Sequence, residues 1–180
     1  MEKAAHQKSS QPNWLRPIFG NIPDELKAQP WGVWKAEPRL DREGNATGKW
    51  NKAPRNPSSG IKIGANQPEA FGTYEEAKQA YEGGGYTGIG VLLTGSGIVG
   101  MDLDDCPTLF KERPEIGEWL REAIDKGIYC ERSPSGNGAR LFFLGQLPIG
   151  CPKKQGSLEI YDDGRFLTVT GHQAKGGPNE

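Results

Sequence analysis

Met101-Asp102-Leu103-Asp104 follows the apolar run Ile98-Val-Gly, and its spacing sets its geometry. In a strand, residues two apart share a face, so the Asp102 and Asp104 carboxylates project together, their Cα atoms about 6–7 Å apart. Two like charges on one face need water or a cation to compensate them. A hard divalent ion such as Mg²⁺ suits the place, since it takes one or two carboxylates and completes its shell with water and phosphate oxygens. The competing reading is a solvated strand end, with Asp104-Asp105 opening a loop. A second constellation is Ser133-Pro-Ser-Gly-Asn-Gly-Ala-Arg140. Gly136 and Gly138 let backbone N–H groups converge on an anion, Ser133 and Ser135 add hydroxyl donors, and Arg140 can grip phosphate through two N–H groups. An ordinary glycine-rich hairpin loop is the alternative. The string is neither a Walker A loop nor a Rossmann fingerprint, because strand-like Leu141-Phe-Phe-Leu follows it. Glu159 adds a third strand carboxylate, on the face opposite to Leu158 and Ile160. A DxD strand, a phosphate loop and a further carboxylate are the parts of a two-metal phosphoryl-transfer site. Lys52, Arg165, Thr168, Thr170 and His172 are further groups able to reach phosphate, and each alone reads as a surface residue.

These residues need elements to carry them. Ile22–Lys27 reads as a short helix, and Trp31–Ala36 as a strand ended by Glu37-Pro38, since a residue before proline avoids the helical region. Arg39–Lys49 has the composition of a hairpin tip and is expected to return the chain beside that first strand. Trp50–Pro57 carries two prolines and suits an edge strand or an ordered loop. Thr73-Tyr-Glu-Glu is a capping box opening a helix that stops at Gly83-Gly-Gly. Thr87–Thr94 and Ile98–Asp104, joined by Gly95-Ser-Gly97, are expected to form a β-hairpin. Pro114 starts a helix with apolar positions Ile116, Trp119, Leu120, Ala123 and Ile124, ended by Gly127. Ile128–Arg132, Ala139–Leu144, Ser157–Tyr161 and Arg165–Thr170 read as strands, the last two joined by a turn at Asp162-Asp163-Gly164. The order, strands with occasional helices and mostly hairpin connections, predicts an α+β fold with an antiparallel or mixed sheet.

Composition bounds the rest. A chain of 180 residues makes one ordinary domain or two small lobes. Gly 26 and Pro 14 keep it under the roughly 25–30% of low-complexity chains. A net charge of -1 gives no bulk attraction to nucleic acid or acidic membrane, so such contacts need local clusters. Arg39, Arg42, Lys49, Lys52 and Arg55 are the candidates for one, with solvation of a hairpin tip as the other reading. No run approaches a membrane span and the N-terminus lacks a signal-peptide core, so a cytoplasmic protein is expected. Cys106, Cys130 and Cys151 form no CxxC pair, and a reduced set of partly buried thiols is expected rather than a zinc or disulfide framework. With only His6 and His172 as distant partners, a catalytic cysteine is the least supported reading.

Met101–Asp104, then Ser133–Arg140, then Leu158-Glu-Ile-Tyr with Gly164–His172, resemble the three ordered motifs of the archaeo-eukaryotic primase superfamily, in its phage and plasmid primase-polymerase branch. Lys52-Ala-Pro-Arg-Asn-Pro and Phe71-Gly-Thr-Tyr-Glu-Glu-Ala are also similar to segments preceding the first motif there. The resemblance runs from about Trp31 to His172. It implies an RRM-like catalytic sheet packed with a small N-terminal α/β unit, the unit near 14–86 and the catalytic sheet near 87–172 within a domain spanning 14–180; residues 1–13, polar and without periodicity, are expected to be a disordered leader. It assigns Asp102, Asp104 and Glu159 as catalytic ligands of Mg²⁺ or Mn²⁺. It places Ser133, Ser135, Gly136, Gly138 and Arg140 at the triphosphate, helped by Lys52, Arg165 and His172. The family's second motif usually ends in histidine. Arg140 keeps the cation there but cannot change protonation near neutral pH. Family members usually continue past the third motif, so the end at Glu180 reads as a truncation, a small stand-alone member or a remnant.

The activity so implied is template-directed nucleotidyl transfer in phage or plasmid DNA replication. Nucleoside triphosphates, a single-stranded DNA template with its primer and a replicative helicase are the implied partners. Two rivals stand beside it. One is a primase-like module that binds nucleotide or single-stranded DNA without polymerising, for which Phe142, Phe143, Tyr161 and Phe166 are base-stacking candidates that otherwise read as core. The other is a metal-dependent nuclease using the same carboxylates.

Overall fold

The computed structural model describes residues 12–174, so the leader expected over 1–13 lies, except for its last two residues, outside the described residues. Helix α1 (Asp24–Lys27) buries Leu26, and β1 (Trp31–Trp34) follows with all four residues buried. The next hairpin does not return beside β1. Instead β2 (Glu37–Leu40) and β3 (Ala46–Asn51) form a two-stranded sheet of their own. Every residue from Pro38 to Lys49 is exposed, and this polar segment has no apolar face to lay against buried β1. The proline-bearing β4 (Pro54–Arg55) takes the edge beside β1, where a missing N–H costs nothing. Helix α2 (Tyr74–Glu82) starts on the expected capping box: the Thr73 hydroxyl accepts from the Glu76 N–H and the Glu76 carboxylate accepts from the Thr73 N–H.

Strands β5 (Gly88–Thr94) and β6 (Ile98–Leu103) are not the hairpin their sequence predicts. They belong to different sheets, and the turn at Gly95 and Gly97, both at positive φ, carries the chain across. Both runs are mainly apolar and need neighbours on two edges: β5 pairs with β1 and, on its other side, with β11 (Asp163–Val169). Helix α3 (Cys106–Glu112) begins at a left-handed Asp105 without a side-chain cap, and α4 (Pro114–Asp125) buries Ile116, Leu120 and Ala123. Trp119, expected on the apolar face, lies at the margin of that stripe and is 40% exposed. The remaining strands are β7 (Tyr129–Arg132), β8 (Ala139–Leu144), β9 (Lys154–Gln155) and β10 (Leu158–Tyr161).

The order in one sheet is β11-β5-β1-β4 and in the other β7-β8-β6-β10-β9, with every described pairing antiparallel. The turn between β10 and β11 therefore also switches sheets. The four-stranded sheet takes β1 and β4 from before residue 87 and β5 and β11 from after it. Ile98 and Phe142 of the five-stranded sheet enter the same core as Trp31, Val33, Val91 and Leu167 of the four-stranded one. Met101, Leu103, Cys130 and Leu141, on the opposite face, pack with Leu109 of α3 and with Ile116 and Leu120 of α4. The fold is α+β with antiparallel sheets.

Candidate active site

Strand register builds the site. On β6, Asp102 is opposed on one side by Arg140 of β8 and on the other by Glu159 of β10. The row extends from Arg140 to Glu131 on β7 and from Glu159 to Lys154 on β9. Directly opposed residues share a face, so Glu131, Arg140, Asp102, Glu159 and Lys154 cross the sheet in one charged line.

Arg140 is buried, with 4% of its surface exposed, and protein partners occupy its guanidinium. Nε donates to Asp102 Oδ1 at 3.1 Å and Nη2 to Oδ2 at 3.4 Å, while Nη1 donates to the Thr168 carbonyl at 2.6 Å and to the Thr168 hydroxyl. The expected triphosphate contact gives way to a brace: Arg140 fixes the orientation of Asp102 and ties β8 to β11. Glu159 is as fully engaged. Its Oε1 accepts from Lys154 Nζ, and its Oε2 from the Tyr161 hydroxyl at 3.0 Å and Arg165 Nη2 at 2.7 Å. Burial alone would raise this carboxyl, but the bonds from Lys154 and Tyr161 and the nearby Arg165 charge outweigh it and hold it below the usual range. The Arg165 guanidinium also lies 4.5 Å from the centre of the Tyr161 ring.

Asp104 stands immediately past β6, its N–H donating to the Ser157 carbonyl at 2.9 Å. Among the described residues its carboxylate accepts no hydrogen bond. Burial first, then the Asp102 charge, raises the Asp104 carboxyl, with Glu159 adding and Lys52 and Arg140 opposing. The same charges act on Lys52: burial and Arg140 depress its ammonium while Asp102 and Asp104 pull the other way, and its Nζ lies 5.5 Å from the Trp14 ring centre.

The loop between β7 and β8 folds on itself. The Gly138 N–H donates to Ser133 Oγ at 3.0 Å, the Gly136 N–H to the Ser133 carbonyl at 2.8 Å, and the two serine hydroxyls lie 3.2 Å apart. Two amides expected to converge on an anion thus shape the loop instead, and exposed Ser135 is left as its outward donor. His172 stands apart from the charged row; its Nε2 lies 2.8 Å from the Arg16 carbonyl. Arg55, expected in a basic strip, is held by Glu37 at 2.6 Å and by the Gly60 carbonyl at 2.9 Å.

Glu131 and Lys154 escape a reading of the sequence. Glu131 is fully buried, accepting from the Thr170 and Gly171 N–H groups and the Tyr129 hydroxyl, and so pins β7 to the chain leaving β11. Alternation in Tyr129-Cys-Glu-Arg places it beside its neighbours, but only register shows that it ends the charged row.

Of the pair that could hold a divalent ion, Asp104 keeps a carboxylate without a hydrogen-bond partner among the described residues, its pKa raised by burial first and by the Asp102 charge second, while Asp102 already gives both oxygens to Arg140. Both Glu159 oxygens are likewise taken, by Lys154, Tyr161 and Arg165, so that in this arrangement Asp102 and Glu159 alike would have to give up protein partners to take an ion. Among the described residues no three His, Cys, Asp or Glu side chains converge as a ready metal site, and no helix is long and apolar enough to cross a membrane.

No protein-family model matches the chain. Over 148 residues, 78% of its length, the chain is 32% identical to a protein named DNA Primase-polymerase from Nitratiruptor phage NrS-1. The chain is similar to a phage primase-polymerase. It spans 19% of that relative's length, so the likeness concerns a short part of a much longer protein.

Proposed function

We propose that this domain carries out template-directed nucleotidyl transfer of the DNA primase-polymerase type. The observation that carries the reading is the register that opposes Asp102 to both Arg140 and Glu159, so that residues from three separate motifs form one row on one sheet. The likeness to the phage primase-polymerase supports the same reading. In the reaction, a 3′-hydroxyl oxygen bonds to the α-phosphorus of a nucleoside triphosphate in line with the departing pyrophosphate, and the hydroxyl proton passes to solvent. A bound Mg²⁺ or Mn²⁺ supplies the Lewis acidity that lowers the pKa of that hydroxyl and neutralises charge at the α-phosphate. Asp102 and Asp104 would hold the ion, and Arg140 keeps the Asp102 carboxylate in one orientation. Glu159 gathers Lys154 and Arg165 beside the pair, where with Lys52 they meet the negative charge of the β- and γ-phosphates. Ser135 offers a hydroxyl at the rim.

A binding module without polymerase activity is favoured by one observation: Asp102 and Glu159 already have cationic partners within the protein. Extension of a labelled primer on a single-stranded DNA template with Mn²⁺ separates the two. The proposal expects products that vanish in Asp102→Ala. Wild-type protein that binds triphosphate but yields no products would overturn it in favour of the binding module, and strand cleavage without added nucleotide would indicate a nuclease.

A further inference from the structure

The β2–β3 hairpin has no part in either large sheet, yet it ends at the candidate site. We infer that it is an arm that holds the phosphates of a single-stranded nucleic acid and leads that strand toward Asp102 and Asp104, an inference resting on the proposed function for the identity of that strand as template. The register of the hairpin shifts between Pro38 and Leu40, and around that irregularity Arg39 and Lys49 come to line one surface of the arm. With Arg42, Leu40, Asp41 and Thr47 they line a shallow concavity of about 510 Å³. Arg39, Arg42 and Lys49 are exposed and, among the described residues, take part in no salt bridge. The oxygens of Asp41, the acid in the concavity, turn inward to the Glu43 and Asn45 N–H groups and the Asn45 side-chain amide.

The arm is anchored at its base. Glu37 bonds Arg55 and Lys62, while Trp50 meets Trp14 edge-on at 6.1 Å and Trp14 meets Trp34 at 5.5 Å. From Lys49, β3 leads within three residues, about 10 Å of extended chain, to Lys52, whose ammonium feels the Asp102 and Asp104 charges. A line of cations from the tip to the carboxylates complements a phosphate backbone. The narrow ribbon and the aromatic base suit a single strand, whose bases can stack on aromatic rings, better than a duplex.

Fluorescence anisotropy with a labelled oligo-dT, titrated over a salt series, tests this on the full chain. Arg39→Ala/Arg42→Ala/Lys49→Ala is expected to bind at least about tenfold more weakly at low salt, and its log–log salt slope to be shallower by about 2, since each lost phosphate contact is worth about 0.7 on a single strand. The charge reversal Lys49→Glu alone should act in the same direction, and both variants should bind triphosphate as wild type does. Unchanged affinity and slope, or equal competition by a duplex, would overturn the inference. Wild type that binds the strand but extends no primer would end the polymerase reading and leave the arm standing. Wild type that extends primers while the triple variant binds and extends equally would do the reverse.

Discussion

The geometry around Arg140 gives a physical reason for a guanidinium at this position. A planar fork can hold both oxygens of Asp102 while a third nitrogen reaches Thr168 on another sheet; imidazole has too few donors and lysine no fixed plane. Arg140→Ala leaves Asp102, whose side chain is 13% exposed, without its partner. Urea denaturation should show a loss of about 3–5 kcal/mol, the usual cost of breaking one side of a buried pair, with Arg140→Lys in between. Wild-type stability in Arg140→Ala would contradict the brace. Strand alternation singles out Asp102 and Asp104, although β6 ends at Leu103 and Asp104 stands just past it. Their partners were not, because alternation tells which face a residue takes but not which residue of which strand lies opposite. Lys154, Thr168 and Glu131 become visible only once register is known.

At the level of elements, the capping box at Thr73, the helix from Pro114 and most strand positions follow from local patterns, whereas the two sheet-switching turns do not. A run such as Gly88–Thr94 declares that both its faces are buried and leaves its edge neighbours open, so a short glycine turn reads as a hairpin by default. Close packing on β5 supplies a test. A Cβ on Gly90 would lie 2.5 Å from the Phe166 ring and 2.6 Å from the Leu167 carbonyl, and that carbonyl belongs to a neighbouring strand that cannot turn aside. Gly90→Ala should cost about 1–3 kcal/mol by denaturation midpoint. Gly20→Ala, with nothing within 4 Å of the added atom, should lie near neutral. Equal midpoints for the two would contradict the pairing of β5 with β11.

Across the whole molecule, a net charge of -1 conceals a strongly uneven distribution, with cations along one arm and around one group of carboxylates. The clamp at the arm's base ties this to pH. Hydrogen bonds from Lys62 and then Arg55 hold the Glu37 carboxyl below the usual glutamate range. A carboxyl lowered in the native state adds stability above its ordinary range, and that contribution is lost as pH falls through the lowered value. Glu37→Gln should therefore flatten the acid limb of stability against pH over that window; curves that stay parallel would show that the clamp contributes nothing.

The central claim is that Asp102 and Asp104 together make the triphosphate site depend on a divalent ion. Calorimetric titration of a nucleoside triphosphate with and without Mg²⁺ measures that dependence directly. Wild type should bind more tightly with Mg²⁺, and Asp102→Asn/Asp104→Asn, still folded by circular dichroism, should lose that gain; a double variant that keeps the full Mg²⁺-dependent affinity would contradict the account.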